Sequence, residues 1–456
     1  MKAFLKILGV LVLVFGLAVA LFHEKKSTAE AAEENTLQIY FMYHRGEPQA
    51  AWLQDAIGRF EESIGQEVNE DVVYAGREVM TKARPRLIMG KPPDIITQGG
   101  DMMRPVMLDG LMHPLDEALA GPAWDSQVPW RETFLPGLLD FYTYRGHTYM
   151  VPIEIFVSVF FYDRRMFEKY GLEEPRTWEE FLHVCEVLKQ SGIEPIAADG
   201  TIIGYNTTWF STLVSRVTSG EHFRAAALDE PDTSWEEEPY LRAAGMVKEL
   251  VRKGYVMEGY QGSTWPAAQV RWANGDCGLL YNGSWIPKEM GNKLPPEFEL
   301  DFFRFPVTED GVGEDMSQVC GAECYAVPRD ARHKELAIEF IRYVTSKEEM
   351  NRFVKLQMPP AVKGVEMPPG LKGLREILTP PYELVHSFGG VQTDLPEWYR
   401  NVARDLWSDL FLCRVGPEEM CRKMDEVQDR YYERLETLGK PKIPEAAGDD
   451  WSQDDS

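Results

Sequence analysis

The sequence predicts an α/β chain divided into two units. Three observations carry this expectation: a β-α-β step from Val157 to Ala197, a β-α-β-α-β order from Leu37 to Thr97, and a length beyond what one core sustains. Val157–Tyr162 is an apolar, β-branched and aromatic run of strand length. Thr177 and Glu180, three residues apart, make a capping box that opens a helix burying Phe181, Val184 and Leu188. Gly192 ends that helix, and Ile193–Ala197 reads as the next strand.

The earlier elements follow by the same reading. Leu37–Tyr43 is a strand, and the helix after it places Leu53, Ile57, Phe60 and Ile64 on one face. Val68–Tyr74 is a second strand. A helical stretch with Met80, Ala83 and Leu87 comes next, kinked or restarted at Pro85, and it ends at Gly90 before the strand around Asp94–Thr97. Near the other end, Leu336, Ala337, Phe340, Ile341 and Val344 recur at spacings of three and four, the stripe of an amphipathic helix. Ser346 and Glu349 cap the helix that follows.

The ends and the bulk composition narrow the class of function. Lys2 and Lys6 precede an apolar run, Ile7–Phe22, and a charged stretch from His23, in the order of an export signal. Residues 1–31 are therefore expected to be a signal peptide or an uncleaved leader, with cleavage after Ala20 or Ala31. No cysteine follows the apolar run, which points away from a lipoprotein. A net charge of -25 argues against nucleic acid or an anionic membrane as the partner. The acidic segment 441–456 is expected to be a disordered tail.

Six cysteines in an exported chain allow disulfides. Cys413 with Cys421 could close a turn, and Cys320 with Cys324 a short loop, while Cys185 falls on an apolar helix face. Cys320-x-x-x-Cys324 lacks the further ligands that zinc needs, so no metal and no cofactor are expected. The chain carries no Gly-x-Ser-x-Gly elbow, His-Glu-x-x-His helix, phosphate loop or dinucleotide fingerprint.

Four stretches resemble, in order, the extracellular solute-binding proteins, family 1, which are the sugar-binding components of ABC transporters. They are Gly90-Lys91-Pro92-Pro93-Asp94-Ile95-Ile96 with Gly110-Leu111-Met112-His113-Pro114-Leu115-Asp116; Tyr149-Met150-Val151-Pro152; Phe160–Leu172 with Thr177-Trp178-Glu179-Glu180-Phe181; and Pro328-Arg329-Asp330-Ala331 through Ser346-Lys347-Glu348-Glu349. The resemblance spans Leu37 to about Val354. It implies a two-lobed periplasmic binding protein fold of type II, with discontinuous domains joined by a hinge. On that pattern the first lobe takes 36–152 and 300–345, and the second takes 153–299 and the helical 346–440. The resemblance further implies a periplasmic or extracellular monomer that captures a mono- or oligosaccharide between its lobes and delivers it to a membrane permease. The ATPase would then be a separate chain.

A sugar site needs aromatic faces for C–H groups and carboxylates, amides or guanidinium groups for hydroxyls. The resemblance points to Trp285 as a cleft tryptophan, to Trp209 as a second, and to Glu323 on a small-residue turn. Glu154 lies one residue past the expected crossing. Tyr43 and His44 follow the first strand and Asp101 follows the third, where loops at strand carboxyl ends face ligands in open α/β sheets. Trp265 and Trp398 stand in loops where family members vary, and Arg77 is a further candidate. Two other readings stay open: a binding protein for a polyamine, peptide or glycerol phosphate, and an exported glycoside hydrolase using paired acids.

Overall fold

Parallel pairing of three short strands opens the chain. Strand β1 (Thr36–Phe41) runs beside β2 (Asn69–Tyr74) on one side and β3 (Ile95–Gly99) on the other, so the local order is β2-β1-β3. Helix α1 (Pro48–Ile64) links the first two and buries Leu53, Ile57 and Phe60, the stripe its sequence offers. Phe60 meets Phe340 and Tyr343 of the helix Lys334–Val344 at ring separations of 5.3 and 5.4 Å. Helix α2 (Val79–Ile88) links β2 to β3 and is continuous through Pro85, so the helix does not restart there. The proline removes only one helical hydrogen bond, and burial of Val79, Ala83 and Leu87 holds the turn on either side. Asp94 ties this unit together: its carboxylate accepts from the amides of Gln38 and His333.

The computed structural model describes residues 36–308, 316–386 and 390–442. Residues 1–31, expected as the leader, lie outside that range, as does the expected tail beyond residue 442. Among the described residues no helix is long and apolar enough to cross a membrane.

Two compact units emerge. The first comprises the described residues through Gln98 together with Tyr325–Val344, and the second comprises the described residues of Gly99–Cys324 and those from Thr345 onward. The chain passes between these units near 98, 324 and 344. Strand β4 (Val151–Asp163) is a single thirteen-residue strand. Its first residues pair with Pro359–Ala361 and its last with β7 (Leu300–Phe303), all within the second unit, so neither end acts as a division.

The second unit begins with α3 (Gly100–Leu108), which continues directly from β3, and centres on β4. After β4 comes helix α4 (Trp178–Gln190), whose capping box forms as its sequence predicts: Thr177 Oγ1 accepts from the Glu180 amide, and Glu180 accepts from the Thr177 amide. Strand β5 (Glu194–Ala197), helices α5 (Ile203–Val217) and α6 (Gly220–Ala227), and β6 (Cys277–Gly283) follow. β6 lies antiparallel to β4 and parallel to β5, and β8 (Met316–Ala326) borders the other side of β4. Register places Phe160 opposite both Tyr281 and Phe303, and these rings form the core under α5.

The expected disulfides are absent among the described thiols. Cys185, Cys277, Cys324, Cys413 and Cys421 are free. Cys320 and Cys324 share β8, where four residues of extended chain separate Cα atoms by about 13 Å, beyond disulfide reach. Cys413 closes one helix in a left-handed conformation with its thiol toward the Tyr260 hydroxyl, while Cys421 faces the core from the next helix. Cys185 is core, as its apolar face implies.

Candidate binding site

Strand alternation builds the site. Along β4, Glu154, Phe156, Ser158 and Phe160 project to one side, and the helical cover over Phe160 does not extend to Phe156, which is half-buried. Register carries Gly283 of β6 opposite Ser158, and Trp285 follows two residues on, at the start of the helix Ile286–Met290. The Trp285 indole meets Phe156 edge to face, with centroids 5.5 Å apart and planes at 79°. Ser284 fixes the two strands behind them by accepting from the Val157 amide and donating to the Ile155 carbonyl. Phe156 packs beside Gly321 of β8.

Two carboxylates stand two residues along the strands from this contact, Glu154 from Phe156 on β4 and Glu323 from Gly321 on β8. Glu154 is 0% exposed on β4 and Glu323 is 1% exposed on β8. Asp101 sits exposed in the first turn of α3. Both Glu323 and Asp101 lie close enough to Cys324 to act on its thiol, whose pKa is held well above the ordinary value chiefly by burial, with those two charges adding to the rise. Gly100 allows this approach. A Cβ there would stand 2.3 Å from the Tyr142 ring and 3.3 Å from the Cys324 sulfur, so α3 can seat on Tyr142 only with glycine at its first position. Trp285, Glu154, Glu323 and Asp101 therefore belong to neighbouring pieces of the second unit.

The remaining expectations fall elsewhere. Trp209 is 3% exposed, stacked on Phe411 at 5.7 Å and tilted on Tyr281 at 5.1 Å, so its ring is core and offers no open face. Its edge borders a crevice lined by Asp199, Tyr205, Asn206, Gln269 and Asn282, with room for no more than a water molecule. Trp265 is 49% exposed, on a loop held by Asp199, which accepts from the Ser263 hydroxyl and the Ala268 amide. Trp398 is buried beside Trp235 and Trp407, and Gln428 accepts from the indole N–H of both Trp398 and Trp235. Tyr43, His44 and Arg77 belong to the first unit: Tyr43 is buried against Phe41, the His44 imidazole lies against Gly76, and Arg77 is exposed. The asparagines of the sequons Asn206-Thr207-Thr208 and Asn282-Gly283-Ser284 are both buried, out of reach of glycosylation. Phe156 is the contributor that the sequence reading missed; its signal is the alternation Glu154-Phe156-Ser158 in an otherwise continuous apolar run.

Residues 45–351 match the model of the bacterial extracellular solute-binding proteins, and the chain belongs to that family. It is 26% identical over 64% of its length to 68% of a "probable sugar-binding periplasmic protein" of Rhizobium meliloti. It is also 26% identical over 49% of its length to 54% of the multiple sugar-binding protein of Streptococcus mutans. Among solved structures, a chitin oligosaccharide binding protein superposes with a TM-score of 0.69 and 20% identity, covering 88% of this chain and all of that one. The fold is that of the two-lobed periplasmic binding proteins.

Proposed function

We propose that this chain is an exported carbohydrate-binding protein that captures a mono- or oligosaccharide and passes it to the membrane permease of an ABC transporter. The observation that carries the reading is the half-buried Phe156–Trp285 pair, set beside the buried carboxylates Glu154 and Glu323. An aromatic face takes the C–H side of a sugar ring, and carboxylates accept from its hydroxyls. Membership of a family of binding proteins supports capture without a catalytic step. The protein works as a monomer, without cofactor, metal or nucleic acid. The non-sugar solutes and the hydrolase reading have no comparable observation behind them.

A thermal-shift screen of the purified mature chain against sugars, polyols, polyamines and peptides tests this, because a ligand bound only by the folded state raises the melting temperature. A shift with one class of sugar, lost in Trp285→Ala, is the expected result. A shift with polyamines or peptides alone overturns it, as does slow turnover of an oligosaccharide.

A further inference from the structure

Arg104 on α3 and Arg224 on α6 each form an ion pair with a separate oxygen of one carboxylate, Asp394. Two positive charges therefore share one negative charge. The Arg104 side chain is only 9% exposed, and its Nε has no hydrogen-bond partner among the described residues. Burial lowers the pKa of Arg104; Asp394 opposes that fall and Arg224 adds to it. Its guanidinium carbon lies 5.8 Å from the centre of the Tyr144 ring, and that of Arg145 lies 5.5 Å from the same ring. A gathering of guanidinium groups is out of keeping with a chain of net charge -25. A buried charge is stable when paired and hydrogen-bonded, and Arg104 is only partly so.

The cluster lies along α3 from Gly100, which seats against Cys324, the residue next to Glu323 of the site proposed above. Gly100 seats on Tyr142, and Arg104, one helical turn or about 6 Å along α3, meets Tyr144. That step is of the order of one sugar ring. We propose that the ligand is an acidic oligosaccharide, and that Arg104 and Arg224 receive the carboxylate of a uronic acid ring beside Asp394. The inference rests on the carbohydrate reading and narrows it. The incoming carboxylate would accept first from Arg224, whose side chain is 33% exposed, and would balance the charge at two against two beside the buried Arg104; guanidinium groups favour planar oxyanions over hydroxyls for this reason. The acidic surface does not forbid it, since at physiological salt charges beyond about 8 Å are largely screened.

Isothermal titration of the purified mature chain with galacturonate oligomers and glucuronate-bearing xylo-oligosaccharides, each beside its neutral counterpart of the same linkage, tests the assignment. The acidic member of a pair should bind at least about tenfold more tightly, the scale of one charge-assisted hydrogen bond. That ratio should shrink with added salt and fall to about one in Arg224→Gln. Asp394→Asn, which leaves the guanidinium groups in place with less competition, should raise it. A neutral sugar bound as well as its acidic counterpart overturns the inference and leaves the carbohydrate reading standing. A ratio unchanged in Arg224→Gln also overturns it and makes the ion triad a structural brace. Binding of neither member of any pair overturns the inference, and the carbohydrate reading is then decided by the wider thermal-shift screen.

Discussion

The indole of Trp285 lies across Gly283 so closely that a Cβ at position 283 would stand 2.1 Å from its ring. Glycine at the end of β6 is thus the condition for the edge-to-face contact with Phe156. Gly283→Ala must rotate the indole away or shift the strand end. Titration calorimetry should show sugar affinity falling by at least about tenfold in this variant, close to the loss in Trp285→Ala. Wild-type affinity in Gly283→Ala would remove Trp285 from the binding face.

Trp209 and Trp265 should separate in the opposite sense. Trp209 is enclosed by Phe160, Tyr281 and Phe411, so Trp209→Ala should cost about 3–5 kcal/mol in urea denaturation. Trp265, half exposed, should cost no more than about 0.5 kcal/mol when replaced by alanine. Equal costs would contradict the packing described for α5.

Local features were legible in the sequence because neighbours in the chain decide them. The capping box at Thr177, the stripe of α1 and the β-α-β order needed only spacing. Trp209 and Trp398 were not separable from surface aromatics, since only the cover supplied by distant helices makes them core. The partners of Gln428 lie 193 and 30 residues away, and Arg224 reaches Asp394 across 170. No spacing rule brings such residues together.

The capping box makes a pH-dependent prediction. Hydrogen bonds from the backbone amides of Arg176 and Thr177 hold the Glu180 carboxyl below its ordinary value of 4.5. A carboxyl with a depressed folded pKa adds stability that is present above about 4.5 and is lost as pH falls through the folded value. Glu180→Gln should therefore lower the melting temperature at pH 7, and its difference from wild type should close on acidification below pH 4.5. Thr177→Ala should cost about 1 kcal/mol at neutral pH. A Glu180→Gln difference that is the same at both pH values would separate the effect from the charge.

The thiols offer the sharpest check on how the chain's end packs. Burial pushes Cys277 and Cys421 up to about 12 and holds Cys185 and Cys324 well above the ordinary thiol value. Cys413 alone among the five described free thiols is half-exposed. Because the thiolate is the reacting form, burial holds back the other four both by access and by their raised pKa. Maleimide at pH 8 should label Cys413 ahead of the other four described thiols, which should react only after denaturant is added. Peptide mass spectrometry of the labelled chain reads this directly, and a Cys413–Cys421 crosslinked peptide in the unreduced digest would instead show that the turn before Pro417 closes on itself.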